Sequence, residues 1–300
     1  MMHAIETESL ILPRWTPPRN SGWDIQIPKG SISGLLGVNG IGKTTLIRNL
    51  LGFQKPTSGI SRLLGVPSHR LKPSDWVRIG FAGHDQPLPP RLTGMDLLTV
   101  SRNLYPHWDR TLETRVARDL GLKSHLNQKT GRLSRGSRLL TGILLAVCHQ
   151  PDLLILDEPF EGVDVARREI LLDLMLGSAE RGTTIFFTSH AIEEVERLAD
   201  HLVLLHDGQV ALQDSLERIA SQAHRVFVTN PDPLPTSFEI EGSLAMTQQD
   251  HLVSFFSLLD QGGSANGVEQ VREILPKANI EVSPISLRDL FLALTQERRS

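Results

Sequence analysis

The sequence predicts an α/β fold, a parallel sheet with helices on both faces, and three observations predict it. Short apolar runs rich in β-branched and aromatic residues recur at 78–83, 152–157 and 183–189. Helical patterns such as 165–180 separate them, and that alternation covers a parallel sheet on two sides. Finally, the apolar run Ser31-Ile32-Ser33-Gly34-Leu35-Leu36 passes through a glycine-rich stretch into Thr44-Thr45-Leu46-Ile47-Arg48-Asn49-Leu50-Leu51, a helical pattern stopped by Gly52.

Ahead of that unit, Asp24-Ile25-Gln26-Ile27 alternates like a half-buried strand and Pro28-Lys29-Gly30 reads as its turn, so an antiparallel β layer is expected beside the main sheet. The glycine stretch itself is Gly37-Val38-Asn39-Gly40-Ile41-Gly42-Lys43-Thr44, followed by Thr45. Glycines at 37, 40 and 42 are expected at φ > 0, turning backbone N–H groups inward so that a polyanion meets a ring of donors. The helix N-terminus adds partial positive charge. Lys43 would reach the β- and γ-phosphates of a nucleotide, and the Thr44 hydroxyl would ligate a Mg²⁺ bridging them. A strand, this loop and a helix in order lead to the expectation of a P-loop NTPase core.

From 92 to 133 strand signals fade and helical ones dominate, including 112–120 ending at Gly121, which predicts a helical subdomain over about 85–150. Leu153-Leu154-Ile155-Leu156-Asp157-Glu158-Pro159 then reads as a buried strand delivering two carboxylates at its end. Asp157 could bind Mg²⁺ opposite Thr44 and Glu158 could polarise a water for attack on the γ-phosphate; alone, the same pair also describes loop acids exposed to solvent. Residues 201–206, Asp207-Gly208 and 209–212 form a hairpin signal. After about 220 the texture changes, with Pro231, Pro233 and Pro235, strand-like runs at 238–240 and 252–258, a helix through 268–275 and a closing helix over 287–295. Two domains are therefore expected, 1–219 for nucleotide chemistry and 220–300 as a small α+β domain.

With 300 residues, 40% of them hydrophobic, the chain can bury a full core. A net charge of −3 with both signs interspersed gives no basic stripe, so nucleic acid is not expected as a partner, and Arg298-Arg299 reads as a solvated end. The one cysteine, Cys148, follows an apolar run and reads as a core thiol, which fits a reducing compartment. No apolar run approaches the ~18 residues of a spanning helix, and the start lacks a signal pattern. A soluble intracellular chain is expected.

Between the phosphate loop and the paired acids comes their order's second clue, Leu133-Ser134-Arg135-Gly136-Ser137, and beyond the acids Thr188-Ser189-His190 ends the next strand. With these motifs the chain resembles the nucleotide-binding subunit of ATP-binding cassette (ABC) transporters over roughly residues 5–215: Walker A at 37–44, a signature loop at 133–137, Walker B at 153–157 and a switch histidine at 190. Within the family it looks most like subunits of ABC-2-type exporters, from Tyr105-Pro106-His107-Trp108-Asp109 and the Leu-Ser-basic-Gly form of the signature. The resemblance implies a head-to-tail homodimer or heterodimer, with ATP and Mg²⁺ between Walker A of one chain and Ser134 and Gly136 of the other. It also implies transmembrane permease subunits as partners and a peripheral position on the cytoplasmic face of the membrane. Ser134 by itself would be an ordinary helix cap. His190, unremarkable alone, would bond the γ-phosphate and align Glu158, and Glu161-Gly162-Val163-Asp164 fits the D-loop at the dimer interface. Trp15 fits the aromatic that stacks on adenine, with Trp23 a competitor and core packing open to either.

One departure matters: where the family usually carries a metal-touching glutamine after the strand at 78–83, this chain has His84-Asp85-Gln86, with His84 in register as a candidate Mg²⁺ ligand. Arg135 and Ser137 also replace common signature residues. Two other classes stay in view, a soluble ABC ATPase that transports nothing and a nucleotide-gated regulator with weak hydrolysis.

Overall fold

In the computed structural model, which describes residues 3–13, 22–83, 87–234, 240, 243–258 and 266–296, the chain divides into two units, Met1–Gln213 and Asp214–Ser300. The sequence reading set this border at 219/220; the contacts divide earlier. The first unit runs β1 (His3–Ile11), β2 (Gln26–Pro28), β3 (Ile32–Leu36), α1 (Lys43–Leu50), β4 (Ser58–Leu63), β5 (Val66–Pro67), α2 (Pro73–Trp76), β6 (Ile79–Gly83), α3 (Gly94–Leu104), α4 (Arg110–Asp119), α5 (Arg135–Val147), β7 (Leu153–Asp157), α6 (Val165–Glu180), β8 (Thr184–Ser189), α7 (Ile192–Leu198), β9 (His201–His206) and β10 (Gln209–Ser215).

Two sheets result. The larger has the order β10-β9-β3-β8-β7-β6, with β9, β3, β8, β7 and β6 mutually parallel. Its strands are buried on both faces, as continuous apolar runs require. Side chains of Leu35, Ile155, Phe186 and Val203 share one core with Leu46, Ile47 and Leu50 of α1 and with Ile5 and Ile27 of the smaller sheet. The alternate residues point the other way: a β-carbon on Gly34 would stand 3.0 Å from Val195 of α7, and one on Gly80 would stand 2.4 Å from the Ala146 carbonyl of α5. Helices therefore cover both faces. The smaller sheet, β2-β1-β4-β5, is the expected antiparallel layer.

The hairpin turn has Asp207 at φ 46° and Gly208 at φ 78°, the two positive angles of a type I′ turn. Trp23 is fully buried, and its indole Nε1–H donates to the Gly208 carbonyl at 2.7 Å. That makes Trp23 a core residue and removes it as an adenine candidate; Trp15 lies outside the described residues. Cys148 is buried, and desolvation pushes its thiol far up, as suits an inert core residue.

The second unit carries α8 (Leu216–Gln222), β11 (Ala223–Thr229), β12 (Leu244–Gln249), β13 (Leu252–Leu258), α9 (Asn266–Ile274), β14 (Asn279–Pro284) and α10 (Leu287–Gln296). Its strands form an antiparallel sheet, β12-β13-β11-β14. Val226, Val228, Val253 and Phe255 on one face pack with Val271 of α9 and with Leu275 just beyond its end. The unit is α+β, as the sequence suggested, though β11, β12 and β14 were not foreseen.

Candidate functional site

Parallel pairing sets the chemistry-bearing residues side by side at the carboxyl ends of the strands, where an open α/β sheet holds its ligands. Leu36 pairs with Ser189, and Gly83 pairs with Asp157. The phosphate loop leaves β3, the two acids leave β7 and His190 follows β8.

In the loop, Gly40 (φ 81°) and Gly42 (φ 109°) occupy the left-handed region as expected. Gly37 does not. Its requirement is space, because a β-carbon there would press on Ile41 Cγ2 at 3.0 Å and on Leu205 Cβ at 3.2 Å. The Gly37 N–H donates to the Ser189 carbonyl at 3.4 Å, tying the loop to the neighbouring strand end. Gly42 caps α1 without a side-chain partner, and no acid occupies the first turn, so the positive end of the helix is left for a ligand.

Lys43 is buried and donates to the Gly37 carbonyl at 2.7 Å; its Nζ also lies 3.0 Å from Glu158 Oε1. The other Glu158 oxygen lies 3.0 Å from His190 Nδ1. One carboxylate is thus gripped by two nitrogens, one from the first residue of α1 and one from the turn after β8. Glu158 itself stands at φ 51°, a left-handed angle that is uncommon for a residue with a β-carbon and recurs at functional sites. Its N–H donates to Thr188 Oγ1 at 2.9 Å, and the same hydroxyl donates to Asp157 Oδ1 at 2.7 Å. Asp157 also bonds Thr44, and burial pushes its carboxyl above the usual range against these hydrogen bonds. A cavity of about 260 Å³ beside Thr44 and Asp157 is walled by Phe53 and Phe81, with Phe53 stacked on Trp76 at 5.7 Å.

The structure therefore brings Lys43, Thr44, Asp157, Glu158 and His190 together. Ser134 and Gly136 are engaged elsewhere: Ser134 Oγ accepts from the Ser137 N–H at 3.2 Å as the N-cap of α5, and a β-carbon on Gly136 would stand 2.8 Å from the Gly162 carbonyl. The signature loop thus abuts the 161–164 loop. In that loop Asp164 caps α6, accepting from the Arg167 N–H at 3.0 Å. His84 lies outside the described residues. Thr188 was not singled out in the sequence reading, although a hydroxyl near the end of a buried strand needs partners and so flags itself.

Thr44 and Asp157 offer hard oxygen donors, one hydroxyl and one carboxylate, which suit Mg²⁺. Among the described residues no group of three His, Cys, Asp or Glu could form an all-protein metal cage. A site that keeps water and phosphate ligands fits both facts.

Residues 21–161 match the family model described as ABC transporter. The chain is 30% identical over 284 residues to the bacitracin transport ATP-binding protein BcrA of Bacillus licheniformis, covering 90% of each chain. It is 33% identical over 189 residues to the Nod factor export ATP-binding protein I of Cupriavidus metallidurans, covering 62% of each. Among solved structures, an ATP-binding subunit of an ABC transporter superposes with a TM-score of 0.64 at 24% identity, covering 73% of this chain and 92% of that one.

Proposed function

The chain belongs to the ABC transporter family as an ATP-binding protein, and from that premise we propose that it powers an ABC-2-type exporter, driving transmembrane permease subunits through ATP-dependent dimerisation. The observation that carries the catalytic reading is the Glu158 carboxylate, held at 3.0 Å by Lys43 and at 3.0 Å by His190.

The phosphate-loop amides from Gly37 to Thr45 and the α1 N-terminus bind the triphosphate, and Lys43 pairs with its β- and γ-oxygens. Phosphate oxygens then replace Glu158 as the counter-ion of Lys43, which frees Glu158 Oε1 to accept a proton. Thr44 and Asp157 would hold Mg²⁺, whose charge would offset that of the phosphates; His84 is a further candidate ligand. Glu158 removes a proton from a water as its oxygen bonds to the γ-phosphorus, the bond to the β,γ-bridging oxygen breaks, and ADP and phosphate result. His190 keeps Glu158 and the water in line. Charge stabilisation by Lys43 and the loop amides supplies the largest part of the acceleration.

Trp15 is the candidate for stacking on adenine. Ser134 and Gly136 complete the nucleotide site of a second ATPase copy, identical or related, and this use is compatible with Ser134 being exposed on its own chain. Among the described residues no helix is long and apolar enough to cross a membrane. The protein sits peripherally on the cytoplasmic face of the membrane through its permease partners.

Lys43→Ala tests the reading. Titration of the purified chain with ATP should show binding weakened by about tenfold or more, in line with the ~1.5–3 kcal/mol of a charged hydrogen bond, and turnover should be lost. Unchanged affinity and turnover would refute the cradle, whereas measurable ATPase in the parent excludes a purely regulatory nucleotide switch.

A further inference from the structure

Behind the Glu158–His190 pair runs a second set of contacts that the catalytic reading leaves unused. The loop that follows Glu158 ends at Val163, whose carbonyl accepts from Arg168 Nε at 2.9 Å. The guanidinium of the same Arg168, on α6, lies 3.7 Å from Glu194 Oε1 on α7. The second oxygen of Glu194 accepts the Ser189 hydroxyl at 2.5 Å, and Ser189 Oγ in turn accepts the Ala191 N–H at 2.9 Å. Ser189 and Ala191 flank His190. The side chain of Glu194 is only 19% exposed.

We propose that Arg168 and Glu194 are positioning residues for ATP hydrolysis, tying the loop after Glu158 to the turn that carries His190 so that the two catalytic groups keep their 3.0 Å alignment. This rests on the catalytic roles of Glu158 and His190 proposed above. The physical logic is one of two short loops joined at their rear: each could swing by itself, and a misplacement of about 1 Å in such a pair is enough to cost up to a hundredfold in rate. The burial that pushes the Glu194 carboxyl above its ordinary range is accepted because the group has partners on two sides.

The fold supplies an internal control. Arg197 and Glu169 join the same two helices through bonds of 2.9 and 2.8 Å, but they are half exposed, and these bonds reach neither loop. If the Arg168–Glu194 contact merely fastened α6 to α7, the two pairs would behave alike.

The test is a double-mutant cycle on the purified full chain, reading ATP turnover at saturating ATP, nucleotide affinity and melting temperature. Glu194→Ala should lower kcat by about tenfold to a hundredfold while nucleotide affinity changes by less than about threefold. Glu194→Gln, which keeps an acceptor for Ser189, should recover most of the rate. Glu169→Ala should match the parent in kcat. In a His190→Ala background Glu194→Ala should cost nothing further, because a residue acting through the histidine has no effect once the histidine is gone. Losses that add in the double variant, a parental kcat for Glu194→Ala, or an equal loss for Glu169→Ala would each overturn the inference. Should Glu194→Ala fail to fold, Ser189→Ala carries the same expectation. A parent chain that hydrolyses no ATP refutes the functional reading and this inference with it, whereas an active parent with additive losses refutes the inference alone.

Discussion

Glu158 is held at a left-handed backbone angle that costs a non-glycine residue about 1–2 kcal/mol, and Thr188 is the group that holds it. One hydroxyl accepts from the Glu158 N–H and donates to Asp157, so it fixes both acids at once. Thr188→Val keeps the shape and removes both bonds. It should destabilise the fold by about 1–3 kcal/mol through the unpaired N–H and lower ATP turnover, as melting curves and a coupled ATPase assay would report; parental values in both would dismiss the role of Thr188. At this scale the sequence was most legible where spacing is dictated by a ligand. Lys43 and Thr44 open α1 after the glycine loop, Asp157 ends β7 with Glu158 directly after it, and His190 follows β8. Thr188 was harder to see because threonine is also a plain strand former, so its type carries no signal until burial is known. Gly37 was assigned to the right loop for the wrong reason, since crowding by Ile41 and Leu205 cannot be read from local sequence.

Elements are fixed by their caps and by a few buried polar ties. Thr93 and Asp96 form a reciprocal capping box at α3, Asp109 caps α4, and Ser134 caps α5. Glu113 of α4 accepts from Arg102 Nε of α3 at 2.9 Å and from Trp108 Nε1 at 2.7 Å, locking the segment that marks the ABC-2-type resemblance. Tyr105 of that segment stacks on His149 at 4.1 Å. Burial alone would raise the Glu113 carboxyl, but the Arg102 and Trp108 bonds outweigh it and leave the group below its ordinary value of 4.5. A depressed folded value means stability that is fully present above about pH 4.5 and lost as pH falls through the folded value. Glu113→Gln should therefore melt below the parent near neutral pH, with the gap closing as melts are taken to acid below that range; a gap constant with pH would contradict the tie. The helical pattern at 165–180 coincides with α6, which Asp164 caps and which Gly182, at φ 94°, follows. Strand β14 was not, because five of its six residues are exposed and an edge strand writes no hydrophobic pattern.

At the scale of the whole molecule, the first unit brings Lys43, Asp157, Glu158 and His190 together, the half-site proposed for nucleotide, while Ser134 and Gly136, the half proposed to serve a second copy, are engaged with their own helix and with Gly162. In the proposed dimer each copy would lend its signature to the other, which would give both halves a use. The second unit has its own sheet and its own core around Phe255 and Val271. Its existence was legible from the change in texture after about 220; its strand count was not, since short polar strands such as β12 resemble loops. The central claim is that Glu158 is the base for ATP hydrolysis and that hydrolysis reopens an ATP-closed dimer. Its most direct test is the molar mass and bound nucleotide of Glu158→Gln, measured by size-exclusion chromatography with light scattering in the presence of ATP and Mg²⁺. The expected result is a dimer that retains intact ATP, where the parent returns to monomer with ADP; a variant that stays monomeric or releases ADP at the parental rate would contradict the account.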